Sequence, residues 1–144
     1  MSMIENKTVF PLSTEEVKQM LQASNVTPTK QRVEIAGYLF QKPQHLSADN
    51  VLEGVNREGH KVSRATVYNT LGLFTRKGLI REVLIDRERV FYDSNNTQHH
   101  HIFNVSSGEL QDIENTGVEV VNQPVLDNGL KVVGTDVIIR VADK

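Results

Sequence analysis

The stretch Gln98-His99-His100-His101-Ile102-Phe103 sets three of the chain's five histidines in a row. Imidazole is the commonest protein metal ligand and also the side chain that titrates nearest neutral pH. In an extended strand, side chains alternate between faces, so His99 and His101 point one way and His100 the other. Two imidazoles on one strand face can share a single ion. Such a pair suits iron(II), manganese(II) and zinc(II), and added carboxylates favour the harder ions. Without further donors the same pair is an inert polar edge.

Further donors are near in the sequence. Asp93 stands at the end of an expected strand, and Asp112 lies on the partner strand of a hairpin that turns at Ser106-Ser107-Gly108. His45 falls in the loop before a helix, where helping to cap that helix is the plain alternative. One ion drawing on His45, Asp93, His99, His101 and Asp112 would tie the orientation of two modules to metal occupancy, as a sensor requires. The same residues suggest a second class, a metal hydrolase with a bound water. That many protein donors would leave little room for water and substrate, so no enzyme is expected. Cysteine is absent, which removes disulfides, thiolate chemistry and every cysteine-based zinc site.

The elements that must position these residues are legible. Ser13-Thr14-Glu15-Glu16 reads as a capping box opening a helix over 14–23. Val33, Ile35, Ala36, Leu39 and Phe40 give a second helix from Lys30, ended by Lys42-Pro43. Ser47 caps a third, carrying Val51, Leu52 and Val55 and closing near Gly59. Ser63 caps a fourth over 64–77, whose Val67, Leu71 and Phe74 form a core stripe and leave Arg64, Tyr68, Asn69 and Arg76 outward. Gly78 is placed as its C′ residue. The period then changes to extended: 79–85, a turn at Asp86-Arg87-Glu88, then 89–92, a β-hairpin.

Three helices followed by a hairpin match a winged helix-turn-helix, whose 64–77 helix would enter the major groove while the hairpin lies against the backbone. The alternative is a helical bundle, capped by a hairpin, that binds nothing. From 93 the chain is strand-rich, with strands expected over 101–105, 109–113, 130–133 and 136–141. Charge divides in the same place. Residues 26–92 hold eleven Lys/Arg against seven Asp/Glu, and residues 93–144 hold three against eight. A basic module therefore precedes an acidic one, and the first is a candidate polyanion binder. The second is small enough that a lone core is marginal, and pairing with a copy would bury its apolar face.

With 38% apolar and 24% charged residues the composition is that of a soluble globular protein. The opening Met1–Lys7 is polar where a signal would be apolar, and no long apolar run spans a membrane. A cytoplasmic location without membrane association is expected.

Thr29-Lys30-Gln31-Arg32, His45-Leu46-Ser47-Ala48, Arg64-Ala65-Thr66-Val67-Tyr68 through Gly78-Leu79-Ile80, and His99-His100-His101 together resemble the ferric uptake regulator family. The resemblance covers nearly all of the chain after residue 13. It implies an α+β protein: a winged-helix DNA-binding domain over 1–92, then a small α/β dimerisation domain over 93–144, with a metal at the junction. It implies a homodimer that regulates transcription, as a repressor or an activator with a repressor the first expectation, on a double-stranded DNA operator.

Carried over by position, the regulatory ligands are His45, Asp93, His99, His101 and Asp112, taking iron(II) or manganese(II), with zinc(II) possible in vitro. Aspartate at both carboxylate positions is similar to the peroxide-responsive branch, in which iron(II) and peroxide oxidise coordinating histidines, here His45 and His99. The triple histidine and cysteine-free ending also resemble heme-responsive iron regulators, with His100 a possible heme or second-site ligand. The resemblance implies base contacts from Tyr68 and Asn69, and phosphate contacts from Lys30, Arg32, Arg64 and Thr66. Where most relatives carry paired CxxC motifs, this chain has Asn104 and Ser107 at the first pair and ends before the second. A cysteine structural zinc is excluded.

Overall fold

Serine and threonine caps punctuate the first half of the computed structural model, which describes residues 9–95, 99–113 and 117–144. The chain forms two compact units, 1–96 and 97–144. Asp93, expected to open the second domain, belongs to the first.

In the first unit, α1 (Thr14–Ala23) starts at a complete capping box, Ser13 and Glu16 each accepting the other's backbone N–H at 3.1 Å. Thr29 caps α2 (Lys30–Leu39), and Ser47 with Asn50 forms a second box at the head of α3 (Ala48–Arg57). Ser63 caps α4 (Arg64–Arg76), satisfying amide groups that a helix start leaves unpaired. Gly78 follows α4 at φ +72°, a left-handed conformation that glycine adopts without a Cβ penalty. Val67, Leu71 and Phe74 are fully buried, as their spacing requires. They pack with Val17, Leu21, Ile35, Leu39, Val51 and Val55 into one core. α2 and α3 approach closely at Gly54, where a Cβ would lie 2.1 Å from the Tyr38 ring.

The hairpin is β2 (Arg81–Leu84) against β3 (Val90–Asp93). Its turn is closed by Asp86, whose carboxylate accepts from the Glu88 and Arg89 amides and pairs with the Arg89 guanidinium at 2.6 Å. The Arg89 guanidinium, helped by those amides, holds the Asp86 carboxyl below its ordinary pKa. A further two-residue strand, β1 (His45–Leu46), pairs antiparallel with the other edge of β3, giving the order β1-β3-β2. His45 is therefore a strand residue and not a loop residue.

The second unit contains β4 (His100–Asn104), β5 (Leu110–Ile113) and β6 (Ile138–Val141) in the order β5-β4-β6, with no helix among its described residues. β4 is antiparallel to β5 and parallel to β6. A parallel neighbour requires a long crossover, supplied here by the connection between β5 and β6. The expected strand over 130–133 is absent, and the one over 136–141 shortens to β6. Leu130 and Val133 are 67% and 91% exposed, and among the described residues no strand pairs with this segment. Phe103, on the central strand, is fully buried.

Candidate metal centre and nucleic-acid face

The register of β1 on β3 sets His45 opposite Asp93. His45 Nε2 lies 3.1 Å from Asp93 Oδ2. The other carboxylate oxygen accepts the Asn95 amide at 2.9 Å. Asp93 is wholly buried, and a buried carboxylate is tolerated only when paired and hydrogen-bonded. The adjoining residues fix this edge. Ser94 Oγ accepts from the Gln44 amide and donates to the Lys42 carbonyl, while the Gln44 side chain donates to the Tyr38 and Leu39 carbonyls at the end of α2. The backbone on either side of His45 is thereby anchored, while its ring pairs with Asp93.

In the second unit the strand alternation places His99 and His101 on one face, their ring centroids 4.6 Å apart. Register sets His101 opposite Asp112 on β5. Both Nε2 atoms converge on one oxygen, His99 at 2.9 Å and His101 at 3.2 Å from Asp112 Oδ1. The two imidazoles are buried, whereas the Asp112 side chain is 38% exposed. Two buried imidazoles aimed at a carboxylate form a donor set for a divalent cation, and their three ligand atoms lie within 4.8 Å of one another.

His100 faces the other way, and its Nδ1 accepts the Val137 amide at 3.0 Å, while the His101 amide donates to the Val137 carbonyl at 3.1 Å. His100 thus helps hold the chain that leads into β6, a use the sequence did not reveal. The corner where relatives were expected to carry cysteines is closed by hydrogen bonds. Asn104 Oδ1 accepts the Ser106 and Ser107 amides, its Nδ2 donates to Asp143, and the Asp143 amide donates to Ser106 Oγ.

On α4, Tyr68 is 46% exposed and Asn69, Arg64 and Arg76 are exposed. Lys30 is exposed at the start of α2. Three of the expected phosphate-binding side chains already have partners. The Arg32 guanidinium donates to the Thr27 carbonyl at 3.0 Å, and the Thr66 hydroxyl bonds the Ser63 hydroxyl at 2.9 Å. Arg64 is paired with Asp49 of α3, a residue the sequence did not single out.

Comparison with known proteins places these features in a family setting. The model of the ferric uptake regulator family matches residues 23–140. The peroxide operon regulator of Bacillus subtilis is 28% identical over 109 residues, covering 76% of this chain and 75% of that protein. Among solved structures, the ferric uptake regulator of Francisella tularensis with iron is 29% identical, with a TM-score of 0.69 over 82% of this chain and 92% of the other. The ferric uptake regulator of Pseudomonas aeruginosa with manganese shares the fold at 22% identity, with a TM-score of 0.68 over 89% and 98% of the two chains.

Proposed function

The chain belongs to the ferric uptake regulator family of metal-responsive regulators, and from that premise we propose that it is a homodimeric repressor governed by one regulatory ion per protomer. The donors are His45 and Asp93 from the first unit with His99, His101 and Asp112 from the second. The observation that carries this reading is the convergence of the buried His99 and His101 rings on Asp112. Imidazole and carboxylate donors without any thiolate fit iron(II) and manganese(II), and zinc(II) is accepted by the same set. Binding an ion through donors from both units biases how the two are held, which is how a local charge event reaches a DNA-binding surface.

Iron(II), when bound, supplies the one-electron chemistry by which peroxide oxidises a coordinating imidazole, and His45 and His99 are the rings we assign to that fate. Aspartate at both carboxylate positions and the similarity to the B. subtilis peroxide operon regulator support a peroxide signal. Heme gains no support, since His100 spends its Nδ1 on the backbone of Val137. A hydrolase reading gains none either, because the family is one of regulators.

DNA binding is assigned to α4. Tyr68 and Asn69 reach base edges, the ring against thymine methyls and the amide by hydrogen bonds, while Lys30, Arg32, Arg64 and Thr66 position the backbone. Dimerisation is assigned to the second unit, whose exposed Leu130, Val132, Val133 and Ile139 call for an apolar partner. Among the described residues no helix is long and apolar enough to cross a membrane, and a cytoplasmic site of action accords with a DNA target.

The test is fluorescence anisotropy with a duplex selected from a random library by the manganese-loaded protein. Binding is expected to tighten with iron(II) or manganese(II) and to weaken when a chelator is added; affinity indifferent to metal would end this reading. Within the same assay, Asn69→Ala is expected to lose about 1–3 kcal/mol of preference for the selected duplex over random DNA. Lys30→Ala should instead weaken both duplexes alike and flatten the salt dependence by about one ion. The opposite assignment of the two effects would place base readout elsewhere.

A further inference from the structure

Arg64 occupies the first helical position of α4, directly after the Ser63 cap. This is the positive end of the helix dipole, where a cation is disfavoured. The first turn of α4 carries no acidic residue to offset it. The anion comes from another helix. Asp49, in the first turn of α3, meets the Arg64 guanidinium through Oδ1 in a short, charge-assisted hydrogen bond. The Asp49 carboxylate raises the pKa of Arg64, and Tyr68, one turn further along α4, is a lesser partner of the same group. Asp49 is thus bound to the charge that stands beside the residue assigned to base contact.

Both side chains are more than half exposed, at 63% and 67%. An exposed pair of this kind contributes little to stability, because solvent screens it. It does determine what the guanidinium offers to a polyanion. A carboxylate and a phosphate compete for the same donors, and a guanidinium already paired brings no net charge to a DNA surface.

We propose that Asp49 is an internal competitor for Arg64, occupying the place of a DNA phosphate and holding down sequence-independent DNA affinity. It is a positioning residue: it acts on DNA only through Arg64. Seating α4 in the groove exchanges the carboxylate for a backbone phosphate. Off its site, the protein keeps the pair closed and remains weakly bound. The proposal rests on the DNA-binding function assigned above.

The experiment compares manganese-loaded wild type, Asp49→Asn, Asp49→Glu, Arg64→Ala and the Asp49→Asn/Arg64→Ala double variant. Each is titrated against a labelled duplex of random sequence and the selected duplex over a range of salt concentrations. Asp49→Asn is expected to bind the random duplex about five- to tenfold more tightly near 0.1 M salt, with a salt slope steeper by about one. Asp49→Glu, which keeps the charge, should behave as wild type. Arg64→Ala should bind more weakly, and adding Asp49→Asn to it should regain only the small gain of removing one exposed negative charge, well short of the gain seen with Arg64 present. All variants should melt with wild type, since the pair is exposed. Asp49→Asn binding no more tightly than wild type would overturn the proposal, as would a gain of the same size without Arg64. If wild type binds neither duplex, the DNA-binding assignment itself falls, an outcome distinct from either.

Discussion

In the His99→Ala protein, manganese no longer tightens binding to the selected duplex. His99 is buried at the head of the central strand of the second unit, and its Nε2 lies 2.9 Å from Asp112 Oδ1. Removing it takes away one of the two imidazoles that converge on Asp112. Loss of an outer partner of a metal ligand already costs about 10–100-fold in affinity, so loss of a ligand is expected to exceed a hundredfold. DNA affinity with metal should fall to the value of the metal-free protein. The neighbouring substitution supplies the contrast. His100→Ala removes the acceptor of the Val137 amide and is expected to cost about 1 kcal/mol of stability while leaving metal affinity near wild type. Equal losses of metal affinity in the two variants would mean that strand integrity, and not ligation, sets the response. Calorimetric metal titration alongside anisotropy separates these outcomes.

A second large effect is expected from Phe103→Ala. Phe103 is wholly buried on β4, two residues beyond His101 and on the same face of the strand pattern. Leu110, opposite it on β5, is the other buried apolar side chain of this unit among the described residues. A buried Phe→Ala change costs about 3–5 kcal/mol, and a unit this small has little stability in reserve. Thermal denaturation should therefore show the second unit melting well below the first, with metal affinity lost together with it. The core of the first unit shares no residue with that of the second, so the helical signal should survive. A single transition close to that of wild type would show that the dimer interface, and not Phe103, carries the stability of this unit.

Local chemistry was the part of this structure legible in the sequence. Each helix start is a side chain bonding its own neighbours, so Ser13, Ser47 and Ser63 announce their helices without tertiary context. The stripe of Val67, Leu71 and Phe74 follows from the helical period, and the shared face of His99 and His101 follows from the strand period. Features fixed by distant pairing were not legible. β1 is two residues long, too short for any alternation, and exists because β3 offers an edge. That edge is what turns His45 from a loop residue into the partner of Asp93. The parallel pairing of β6 with β4 is set across a long connection, and the apolar run of 130–133 reads as a strand although no strand among the described residues pairs with it. Asp49 carries no signal at all, because it becomes informative only when α3 lies beside the start of α4.

The function proposed above has donors from both units hold one ion. Its most direct test is calorimetric titration of manganese(II) into metal-free protein, set beside His45→Ala from the first unit and His101→Ala from the second. One tight site per protomer is expected in wild type, with that site lost or weakened more than about a hundredfold in both variants. Full affinity retained in His45→Ala would confine the ion to the second unit and overturn the two-unit site.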